Sequence, residues 1–193
     1  MIRIVLLDGP LEPSLTTPAA QHARAVAAAI HVFCPQADIL PFPVFSGSLS
    51  TNRQRVIEQL EVALLVDGTI LHCSFGFPTP DAATEQVFAL ACQQFRFVVA
   101  SAPARGKAVY PAGYKGVIKA SGDARCAEGE YSWLGTEMVD FAASPWPVGG
   151  GNGGASIAAG RVTGVLARAC LEGNASREQL IARANYWGIE NKS

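Results

Sequence analysis

Residues 2–7 form a short apolar run that stops at Asp8-Gly9-Pro10, which predicts a strand buried on both faces. Thr17-Pro18 then supplies an N-cap and a first-turn proline for an alanine-rich helix over 18–33. Residues 39–45 predict a second strand, and Pro41 and Pro43 place it at a sheet edge. In 50–63, Val56, Leu60 and Leu64 recur every four residues, the signature of an amphipathic helix. Residues 69–75 predict a third strand. A helix to about Gln94 follows the breaker Gly76-Phe77-Pro78-Thr79-Pro80, again with Thr and Pro at its start. Further strands are expected over 95–101, 116–121 and 138–142. A glycine loop over 149–154 leads into a helix over 155–171. Ser176 and Gln179 form a capping box for a last helix over 177–187. Strands alternating with helices predict a single α/β domain over 1–193, with a doubly wound, mostly parallel sheet and helices on both faces.

Composition agrees with a well-buried chain. Hydrophobic residues make up 49% of the 193 and charged residues 16%. The net charge of -1 comes with no basic cluster, so neither nucleic acid nor a membrane is an expected partner. The five cysteines are scattered, with no C-x-x-C pair, and read as buried free thiols in a reducing, cytoplasmic setting. His72, Cys73 and Cys126 lack metal-ligand spacing, so neither a metal nor another cofactor is expected.

The chemistry centres on Ser156, which a run of glycines delivers into the start of an apolar helix. Glycines allow close approach of a substrate backbone, and a helix N-terminus offers unpaired N–H groups to negative charge. The same position also suits a plain serine N-cap. A nucleophilic serine needs a base and an anion to orient it. The three histidines, His22, His31 and His72, all precede Ser156, which excludes the serine-before-histidine order of α/β-hydrolases. Asp8 ends the first strand, where open α/β sheets place their sites, and His22 lies early in the next helix. His31 competes as the base but sits about 14 Å further along a regular helix.

Asp8, His22 and Ser156 stand in the order used by subtilisin-like serine peptidases, and the flanking segments resemble that family along nearly the whole chain. Ile4 to Asp8 resembles its strand ending in aspartate. His22-Ala23-Arg24-Ala25-Val26-Ala27 keeps the histidine and the Val-Ala spacing of its histidine motif. Ile70 to Gly76 resembles its substrate-pairing strand, and Phe97 to Ala102 the strand before its oxyanion loop. Tyr110-Pro111-Ala112, Val139-Asp140-Phe141-Ala142-Ala143 and Gly154-Ala155-Ser156 continue the series.

The resemblance implies a shortened subtilisin-like fold and a serine endopeptidase acting through an acyl-enzyme. In it Asp8, His22 and Ser156 are catalytic. Ser74, Phe75 and Gly76 pair with an extended peptide, Ala100, Ser101 and Ala102 form the opposite wall, and Val109 sits near the base of the first specificity pocket. Pro103 departs from the family by standing where its oxyanion asparagine belongs, and proline has neither a side-chain amide nor an N–H. The Ser156 N–H remains, and Arg105 and Asn152 are candidate replacement donors by nearness in sequence. The small size also resembles intracellular subtilases that remove leaders or propeptides from ribosomally made peptides. That implies a peptide or protein substrate and a complex with the substrate protein or its maturation machinery. The competing reading is a weak or inactive pseudo-protease that binds a peptide or partner.

Overall fold

The structure, a computed structural model, describes residues 1–189. Among these residues eight strands and five helices follow in order: β1 (Arg3–Asp8), α1 (Pro18–Phe33), β2 (Asp38–Pro43), α2 (Arg53–Ala63), β3 (Ile70–Cys73), α3 (Ala82–Gln94), β4 (Phe97–Ser101), β5 (Val117–Gly122), β6 (Tyr131–Trp133), β7 (Phe141–Ala143), α4 (Ala155–Leu171), α5 (Arg177–Ala182) and β8 (Tyr186–Trp187). The strands make one sheet in the order β2-β1-β3-β4-β5-β7-β6-β8. Every pairing is parallel except β6 with β7. β2, with its two prolines, is an edge strand as its sequence predicts.

Strand alternation sorts the core onto two faces. Ile4 and Leu6 of β1 pack with Val26, Ile30, Val162 and Leu166 of α1 and α4. Val5 and Leu7 pack on the other face with Val56 and Leu60 of α2 and Phe88 of α3. The sheet is thus doubly wound, as the alternating pattern predicts. Among the described residues no helix is long and apolar enough to cross a membrane. All five cysteines are free; burial pushes the Cys73 thiol well up and Cys126 up to about 11.

α1 and α4 touch closely because α4 turns two glycines toward α1. A Cβ on Gly160 would lie 3.0 Å from the Val26 carbonyl oxygen, and one on Gly164 only 2.3 Å from that of Ile30. No side chain fits at Gly164 without separating the helices.

Three local expectations change. The last helix stops at Ala182 rather than 187, because the chain beyond it joins the sheet edge. Asn185 donates its N–H to the Tyr131 carbonyl and Tyr186–Trp187 pair with β6. The capping box is present, but it marks only where a helix starts. The strand expected over 138–142 begins at Phe141, preceded by a turn in which Thr136 and Val139 bond each other. β6 was not foreseen. α3 is capped by Asp81, whose carboxylate accepts from the Thr84 N–H and hydroxyl, whereas the Thr79 oxygens accept from Arg53.

Candidate active site

Asp8 ends β1 with no exposed surface. Its Oδ1 accepts from the Gly9 N–H at 2.7 Å and from His22 Nδ1 at 2.9 Å, and its Oδ2 has no partner. His22 reaches it because Thr17 caps α1 through the Ala20 N–H and Pro18 starts the helix, which sets His22 little more than a turn in. A carboxylate can only accept, so Nδ1 carries the proton and Nε2 is the ring's free basic nitrogen. Phe45 stands edge-on to the imidazole with ring centres 6.3 Å apart. His31, the competing base, bonds the Ala37 carbonyl instead.

Ser156 lies in the first turn of α4, and the structure removes the plain capping reading. The N-cap is Gly154, and no side chain caps the helix. The Ser156 hydroxyl donates across to the Ser74 carbonyl at 3.3 Å. His22 and Ser156 line one cleft of about 340 Å³, with Ser74, Phe75, Gly76 and Phe77 along its wall. Asp8 and His22 are directly bonded, whereas Ser156 shares the cleft with His22 but is bonded to Ser74.

The other expected residues fall in different places. Val109 packs on Gly76, with its Cγ2 2.7 Å from where a Cβ on Gly76 would be. Phe77 and Tyr110 form an antiparallel bridge beside that contact. Ala102, Pro103 and Val109 border a separate cavity of about 500 Å³ with polar walls at Lys119, Asp140 and Arg177. Ala100 and Ser101 are buried in β4 and line neither space. Arg105 and Asn152 are exposed, and neither side chain makes a hydrogen bond among the described residues. α4 starts beside Ser156 with no side-chain cap, so its first N–H groups have no capping side chain. Among the described residues no group of His, Cys, Asp or Glu is arranged to hold a metal.

Sequence reasoning missed two buried side chains around the site. Arg161, 2% exposed, donates to the carbonyls of Ser144 and Trp146 and ties the loop that enters α4 to the helix itself. His72, with no exposed surface, bonds Thr163 through Nδ1 at 2.8 Å and the Ser74 hydroxyl through Nε2 at 2.7 Å. Burial lowers its pKa to about 4, so its ring is neutral at pH 7. The available signal was the period-two spacing of His72 and Ser74 on one strand face.

No family model and no curated protein matches the chain. Solved structures do share its fold. The protease domain of PatA, in mutant form, superposes with a TM-score of 0.69 at 21% identity, over 93% of this chain and 84% of that one. The prenylagaramide maturation protease PagA gives 0.64 at 18% identity, over 92% and 79%. A lanthipeptide protease gives 0.61 at 16% identity, over 86% and 72%.

Proposed function

We propose that this chain is a serine endopeptidase of subtilisin-like type that removes a leader or propeptide from a ribosomally made precursor. The observation that carries this reading is the Asp8–His22 hydrogen bond opening onto the cleft that also holds Ser156. The fold shared with the PatA protease domain, the prenylagaramide maturation protease PagA and a lanthipeptide protease supports it. The finer form of this proposal is a dedicated enzyme, such as one trimming the leader of the small cross-linked subunit of quinohemoprotein amine dehydrogenase.

In the reaction, an extended peptide lies along Ser74, Phe75 and Gly76 as an added strand. The Ser156 hydroxyl leaves the Ser74 carbonyl and turns to His22 Nε2, which takes its proton as Oγ attacks the scissile carbonyl. Asp8 keeps the ring in the right tautomer and stabilises its charged form. His22 then returns the proton to the leaving amine, and water releases the acyl group by the same path. The oxyanion faces the first N–H groups of α4, where the helix dipole favours negative charge.

Loss of one oxyanion donor costs about 10²–10³ in rate, so Pro103 makes this a slow enzyme. Pro103 also favours the second reading, a peptide- or partner-binding module. A fluorophosphonate probe separates the two. Labelling that disappears in Ser156→Ala and falls in His22→Ala supports the peptidase. Folded protein that resists the probe supports the binding module.

A further inference from the structure

His72 and Ser74 lie two residues apart, so their side chains leave the same face of the β3 segment, the face covered by α4. Thr163 lies seven residues after Ser156, two turns along α4 and on the same side of it. Two cross-links therefore join strand to helix. The upper one runs from the Ser156 hydroxyl to the Ser74 carbonyl, and the lower one from Thr163 to His72. The His72–Ser74 bond closes the ladder.

We propose that His72 is a positioning residue that holds the substrate-pairing edge at Ser74 in register with the helix carrying Ser156, through the buried chain Thr163–His72–Ser74. The proposal rests on the peptidase reading. A neutral imidazole donates through one nitrogen and accepts through the other, so the tautomer of His72 sets the direction of the chain. Burial favours that neutral form, since a charged ring there would lose its hydration and displace one of the hydroxyl protons. Ser74 is thereby held twice, by its hydroxyl to His72 and by its carbonyl to Ser156. Loosening the first hold leaves the nucleophile's helix intact but lets the peptide-binding edge drift from it.

The test uses Thr163→Val, which keeps the side-chain shape, and His72→Gln. A small fluorophosphonate needs Ser156 and His22 but not the strand edge. We expect its labelling rate to stay within about twofold in both variants, while cleavage of a fluorogenic peptide panel falls about tenfold in kcat/KM. The double variant should lose no more than the worse single one, because both cut the same chain. Labelling and cleavage that fall in parallel, or losses that multiply in the double variant, overturn the proposal. A ring-nitrogen NMR measurement on His72 reads the link without activity. Thr163→Val should shift both His72 nitrogens, and unchanged shifts overturn the link even if the parent chain resists the probe. Resistance of the parent alone counts against the peptidase reading, not against the link.

Discussion

The Asp8 carboxylate meets His22 Nδ1 at 2.9 Å across 14 residues of chain, with one oxygen shared between His22 and the Gly9 N–H and the other left without a partner. Asp8→Asn keeps the shape but can present an N–H where an acceptor is needed, which favours the wrong tautomer of His22. The peptidase rate should fall about 10⁴-fold, with little change in the folded structure. Peptide cleavage measured beside circular dichroism checks this. A loss of less than tenfold would show that His22 does not depend on Asp8.

Acid should destabilise the chain through His72. Its folded pKa, about 4, lies below the ordinary 6.5, chiefly because burial disfavours the charged ring; nearby Asp8 opposes that effect and His22 adds to it. The unfolded chain therefore binds the proton more readily. The contribution is fully present above pH 6.5 and is lost as pH falls toward 4. The slope approaches one proton, or about 1.4 kcal/mol per pH unit. Urea unfolding at pH 7, 5.5 and 4.5 should show this slope in the parent and a shallower one in His72→Gln. Equal slopes in both would assign the acid sensitivity to other groups.

Val109 fills the space beside Gly76, at the edge where a peptide would pair. The parent should favour a small residue before the scissile bond. Val109→Gly should admit larger ones and narrow the ratio between alanine and phenylalanine peptides at least fivefold. Equal cleavage after large aromatics by the parent would contradict this.

Gly164→Ala should cost about 1–3 kcal/mol, since overpacking must push α1 from α4. Gly160→Ala should cost less, given the wider 3.0 Å approach there. Thermal melts rank the two, and the reverse order would mean that the helices do not set this contact.

Much of the scaffold was legible because short apolar runs and caps are local signals. Thr17 with Pro18 placed α1, and the prolines of β2 placed the edge. Asp8 and His22 could be read from their order along neighbouring elements. The final helix was overextended because pairing of Tyr186–Trp187 with β6 is a contact between distant segments. The His72 chain was hidden for the same reason: its partner Thr163 lies 91 residues away, on a helix whose facing is set only by packing. The partner of the Ser156 hydroxyl is likewise remote, the carbonyl of Ser74 82 residues earlier. Pro103 was visible at once as a residue type, whereas the uncapped start of α4 at Ala155 is set by the fold.

The glycine contacts between α1 and α4 carry a consequence for how such a protein changes over time. His22 rides on one of these helices and Ser156 on the other, so on the peptidase reading the aim of base at nucleophile is a matter of how two rods are laid together. The loops over 46–52 and 103–108 enter neither rod. On the peptidase reading, Leu49, Ser50 and Thr51 of the first loop, which line the cleft with His22 and Ser156, can alter what the cleft accepts without moving either rod.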